Sequence, residues 1–125
     1  SPHAVAWAAR EQEIPCISTG IADEFGGPIP LGPFAIIGDD SIGRGIVETL
    51  RDHRSRAVLM RQHGPFTIGV TPRDAVKAAV LVEDAAHTAH LAFAHGEPTS
   101  LPDEIVDRLY ARYQNVYGQS TDDRR

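Results

Sequence analysis

Apolar residues recur at helical spacing over residues 72–95, where Ala75, Ala78, Ala79, Val82 and Ala86 fall on one face. The ends of that stretch carry matching signals: Thr71 in a cap position, Pro72 opening the helix, Asp74 near its positive end and Gly96 beyond its last turn. The pattern predicts a long helix whose small-residue face lets another backbone come close, on a sheet or between subunits. Ile42, Ile46, Val47 and Leu50 predict a second helix over residues 41–53, capped by Ser41. Ile105, Val106, Leu109, Tyr110 and Tyr113 predict a third over residues 103–115. Alanine-rich residues 2–13, with Ser1 as cap and Pro2 in the first turn, predict a fourth. Its apolar Val5, Trp7 and Ala8 need a partner layer, so a helix starting at the first residue leads us to expect further chain upstream.

Residues 56–60 and 66–70 are short apolar runs that predict buried strands, joined by a turn of ArgGlnHisGlyPro. Residues 14–18 and 34–37 predict two more short strands, linked by a loop rich in Gly and Pro. Strands and helices alternate along the chain, so the expected class is α/β or α+β with a central sheet flanked by helices. Residues 120–125, with Asp122 and Asp123 before Arg124 and Arg125, predict a disordered, solvated tail.

Composition narrows the class. A hydrophobic fraction of 42% with 23% charged residues describes an ordinary globular protein, and 125 residues suffice for one domain with its own core. No apolar run approaches the roughly 18 residues of a membrane span. The N-terminus lacks the basic and apolar segments of a secretory signal, so the expected compartment is the cytoplasm. A net charge of -5 without a basic patch argues against nucleic acid as a partner. The single cysteine, Cys16, has no intramolecular partner and reads as a small buried apolar residue.

Six histidines invite a search for metal ligands, but no pair has H-x-H or H-E-x-x-H spacing. His63 sits in the Gly-Pro turn between two predicted strands; it is either a turn histidine bonded to backbone or a side chain projecting from a rigid sheet end into a cleft. Glu83, His87 and His90 fall on one helical face, where a solvated polar stripe and a surface metal site are both readings. His3, His53 and His95 lie near helix ends and carry no assigned chemistry. Asp23, in the Gly-flanked segment AlaAspGluPheGlyGly, is either a turn carboxylate or a general acid or base. Tyr117, followed by Gly118 and Gln119, is an anchor or a mobile end.

These residues in this order resemble the C-terminal half of L-ribulose-5-phosphate 4-epimerase and its class II aldolase relatives. The resemblance rests on SPHAVAWA, ADEFGGPIP, VLMRQHGPFTIGVTPRDAVKAAVLVEDAA and the closing VYGQ. It implies a class II aldolase-like fold with a mostly antiparallel central sheet, and residues 1–119 as the C-terminal portion of one such domain whose N-terminal part is missing. It also implies a zinc or similar divalent ion held by three histidines, of which His63 matches one and an H-x-H pair would precede Ser1. That ion would act as a Lewis acid on an enediolate formed by retro-aldol cleavage, with Asp23 and Tyr117 as the proton carriers. Tyr117 would reach a neighbouring subunit in a homotetramer, and the substrate would be a phosphorylated ketose. The truncated chain is then expected to be inactive alone. Two alternatives stand beside this: a class II aldolase or lyase acting on another sugar phosphate, and a non-catalytic oligomerisation module.

Overall fold

Strand β2 (Ala57–Met60) is buried along its whole length, which explains why AlaValLeuMet reads as a continuous apolar run rather than an alternating one. In the computed structural model, which describes residues 1–117, it is the middle strand of a three-stranded sheet. β1 (Leu31–Gly32) runs parallel to it, with Leu31 opposite Leu59. β3 (Gly64–Thr67) runs antiparallel, with Val58 opposite Phe66 and Met60 opposite Gly64. The antiparallel pair carries four register positions against two for the parallel pair, so the pairing is mostly antiparallel.

Successive β2 side chains face opposite sides. Ala57 and Leu59 enter the main core with α1 (Pro2–Ala9), α2 (Thr19–Phe25), α4 (Pro72–Phe93) and α5 (Asp103–Arg112). Val58 and Met60 face α3 (Ser41–Leu50), where they meet Leu50, Ile46 and Phe66. A Cβ on Gly45 of α3 would lie 2.9 Å from Met60 Cε, a flexible end that can shift, and 3.0 Å from Pro33 Cγ, so α3 packs closely on this side of the sheet.

Of the small face expected on α4, Ala78, Val82 and Ala86 are buried while Ala75 and Ala79 are half-buried, and Ala85 and Ala89 complete the buried stripe. α1 lies across it, close enough for Trp7 Nε1 to donate to the Ala86 carbonyl at 3.0 Å and for the indole to meet Phe93 edge-on at 5.5 Å. Thr71 and Asp74 form a reciprocal capping box at the α4 start.

Several boundaries differ from expectation for identifiable reasons. α1 stops at Ala9 instead of residue 13, because Glu11 turns left-handed at φ 58° while Glu11 and Gln12 donate to the Ala8 and Trp7 carbonyls. That closure is a Schellman arrangement made without glycine. Among the described residues, 14–18 pair only through the isolated Ile14–Ile29 bridge, and the Cys16 carbonyl instead accepts from Leu101 N–H at 2.9 Å. The Gly-flanked segment read as a loop is helix α2. Ser18 Oγ accepts from Ile21 N–H at 3.3 Å, and Gly26 ends the helix at φ 67°. Residues 34–37 are not a strand: Ile37 is 78% exposed, and the strand lies at Leu31–Gly32 instead. Ser41 is the first helical residue of α3, not its cap, and its N–H donates to Asp39 Oδ1 at 2.8 Å. β3 begins two residues early, at Gly64, and takes in Pro65, which an edge strand tolerates. After α5 the chain widens into a π-helix, Tyr113–Tyr117. The tail expected to be disordered, residues 120–125, lies outside the described residues.

The α1 start needs outside help. Pro2 has no N–H, Ser1 makes no side-chain cap, and the next two donors, on His3 and Ala4, both point to the Glu83 carboxylate of α4 at 2.7 and 3.0 Å. A carboxylate at the positive end of a helix gains from the dipole as well. Glu83→Ala should therefore lower stability by about 1–3 kcal/mol, read as a reduced urea midpoint with an unchanged slope. A midpoint equal to that of the parent would contradict the capping role.

Candidate functional site

The β2–β3 turn presents His63. Its N–H donates to the Met60 carbonyl at 2.9 Å, while Gln62 takes a left-handed φ of 55° and donates to the Ala8 carbonyl at 3.0 Å. The second bond pins the hairpin tip to α1. The His63 side chain is exposed, with its ring tilted 5.2 Å from Phe66, so it is free to serve as a ligand from a rigid base.

Asp23 lies on α2, half-buried and engaged by its surroundings. α2 packs on α5, on α4 and on the π-helix, whose last residue is Tyr117. The elements carrying Asp23 and Tyr117 are thus in contact. His63 belongs to a hairpin packed on α1 and α4, so α4 is common to both groups. A broad open groove of about 670 Å³ beside Trp7, Glu13, Leu31, His53 and Phe93 contains neither His63 nor Asp23.

A polar cluster that the sequence reading passed over stands next to Asp23. Glu24 is only 3% exposed. Its Oε2 lies 3.4 Å from Lys77 Nζ of α4, and its buried Oε1 accepts no hydrogen bond among the described residues. Lys77 also donates to the Tyr113 hydroxyl, and its ammonium sits 4.7 Å from that ring's centre. Burial alone would lower the Lys77 pKa, but the Tyr113 hydroxyl and the Glu24 charge outweigh it and hold the pKa above its ordinary value. One signal was available beforehand: Lys77 is the only lysine in the chain.

Glu83, His87 and His90 are joined by His3, whose ring stacks on His87 at 4.0 Å and lies 6.1 Å from His90. Glu83 spends its oxygens on the α1 N–H groups. Among the described residues no group of three His, Cys, Asp or Glu side chains is arranged to hold a metal ion. Cys16 is buried as expected, and burial pushes its thiol from an ordinary 9.0 up to about 11.

The short mixed sheet with helices on both sides is the fold of a class II aldolase. The chain belongs to the class II aldolase and adducin N-terminal domain family, whose pattern matches residues 1–90. It is 37% identical over 101 residues to L-ribulose-5-phosphate 4-epimerase UlaF of Salmonella paratyphi B, and equally to UlaF of Salmonella paratyphi A. The match covers 74% of this chain and 44% of each relative, so the chain spans less than half the length of these curated relatives. Among solved structures, an L-fuculose 1-phosphate aldolase superposes with TM-score 0.83 and 24% identity, over 91% of this chain and 52% of the other. YgbL of Klebsiella pneumoniae, a putative aldolase/epimerase/decarboxylase by its description, superposes with TM-score 0.68 and 24% identity, over 87% and 53%. These structural likenesses establish the fold.

Three outcomes follow for these ionisable groups. Lys77→Met strands the Glu24 carboxylate and should cost about 1–3 kcal/mol, with part recovered by adding Glu24→Gln; a Lys77→Met protein as stable as the parent in urea would refute the pairing. Both raised groups keep their proton longer in the folded chain, so their contributions are complete below the unfolded pKa values and fade as pH rises through the folded ones. Stability should therefore fall as pH rises from 9.0 through about 11. Cys16 should stay inert to iodoacetamide at pH 8 until the protein unfolds, and rapid labelling of folded protein would contradict its burial.

Proposed function

We propose that the protein carrying this chain is a sugar-phosphate epimerase of the L-ribulose-5-phosphate 4-epimerase type, of which residues 1–119 form the C-terminal portion of one domain. The observation that carries this reading is the 37% identity over 101 residues to curated epimerases of that name. The substrate is a phosphorylated ketose. One of Asp23 and Tyr117 takes the hydroxyl proton of the carbon to be inverted as the neighbouring carbon–carbon bond breaks. This leaves an aldehyde and an enediolate. The aldehyde turns its other face, the bond re-forms, and the second group returns a proton from the opposite side.

The described residues alone do not fit a complete metal site: they offer His63 as one imidazole, whereas a catalytic zinc uses three protein ligands. In our reading His63 supplies one ligand to a zinc or similar ion, and the other imidazoles lie outside these 125 residues. Tyr117 serves a neighbouring subunit in a homotetramer. No helix among the described residues is long and apolar enough to cross a membrane, and with a lone cysteine the reading places the protein in the cytoplasm.

The test is a protein extended upstream by about 90 residues, to ordinary family size. It should hold about one divalent ion per chain and invert a pentulose phosphate. His63→Ala should empty the metal site, and Asp23→Asn should lower kcat by about 100-fold or more. An extended protein with neither metal nor turnover would sink the assignment. Cleavage of a sugar phosphate is the second reading, and accumulation of free aldehyde would select it.

A further inference from the structure

We propose that Lys77 is a positioning residue for Tyr117, acting through Tyr113. The inference rests on the reading of Tyr117 as a proton carrier.

Three elements converge on this one ammonium. Lys77 projects from α4, Glu24 from α2 and Tyr113 from the first position of the π-helix. Tyr113 to Tyr117 is a single π-turn, so whatever anchors Tyr113 sets where that turn begins. The anchor is built from two contacts: a charge-assisted hydrogen bond to the Tyr113 hydroxyl and an ion pair to a carboxylate 3% exposed. Glu24 directly follows Asp23, so the same cation braces the helix that carries the other proton carrier. In a tetramer that sends Tyr117 to a neighbour's site, the root of the segment is thereby fastened to its own subunit.

The arrangement has a local cause. A π-helix leaves its backbone wider and less favourably bonded than an α-helix, and exposed Asn115 and Val116 offer little burial to hold it. A cation on α4 supplies the lateral tie. No other lysine exists in the chain to substitute for it.

The experiment uses the upstream-extended protein and the variant Tyr113→Phe, which removes one hydroxyl and leaves the Lys77–Glu24 pair intact. Expected results are faster amide hydrogen exchange at residues 113–117, a kcat lower by about 10- to 100-fold and a KM within about twofold of the parent. The double variant Lys77→Met/Glu24→Gln, which removes cation and buried charge together, should show the same kcat loss. Combining it with Tyr113→Phe should add little, since all three groups act as one unit. If the parent is active and Tyr113→Phe keeps its kcat or its exchange rates, the positioning role is overturned while the functional reading survives. A parent that inverts no ketose phosphate overturns the functional reading itself, and this inference with it.

Discussion

The alanine face of α4 sets the distances on which the rest of the structure depends. Because Ala86 projects little beyond the helix backbone, α1 can approach until the Trp7 indole reaches a main-chain carbonyl and the α1 N-terminus reaches Glu83. α1 in turn pins the β2–β3 hairpin through the Ala8 carbonyl, and the hairpin presents His63. A larger residue at Ala86 would push α1 outward and strain core packing by about 1–3 kcal/mol. It would also misplace the turn histidine. One main-chain hydrogen bond, from Gln62 N–H to the Ala8 carbonyl, links the hairpin to the α1–α4 packing.

Two carboxylates show how environment divides labour between residues of the same kind. Glu83 faces two unsatisfied N–H groups and a helix dipole, and it serves the fold. Glu24 is buried, paired with a cation from another helix, and bordered by Asp23. Burying a carboxylate is worthwhile only if a partner offsets its lost hydration. The partner found is a lysine that also holds the chain segment leading to Tyr117, so the cost is set against the placement of that segment as well as against stability.

The family membership and the length of the chain bear on each other. Less than half of each curated epimerase is represented, and the described residues provide an exposed imidazole, a helix-borne carboxylate and a braced C-terminal segment. The His3–His87 stack, which in isolation resembles a ligand cluster, lies beside the Glu83 cap and belongs to the α1–α4 contact.

What was legible beforehand follows from local physics. The α4 limits and the β2 strand were readable because capping groups and continuous apolar runs mark neighbouring residues, and the buried cysteine because a free thiol is usually buried. The helix carrying Asp23 was not, since two glycines and short length hid a Ser18 cap and a Gly26 stop inside what looked like a loop. Residues 34–37 misled in the opposite direction: an apolar run makes a strand only where a partner edge is available, and here β1 at Leu31–Gly32 takes that edge. Sequence by itself determined the α4 helix, the β2 strand, the family resemblance and the identity of His63, Asp23 and Tyr117 as residues to weigh. Only the tertiary structure decided that Glu83 caps a helix 79 positions away and that Lys77 joins Glu24 to Tyr113. Spacing along a chain encodes which residues share a face, whereas the docking of one face on another is set by the shapes of side chains far apart in sequence.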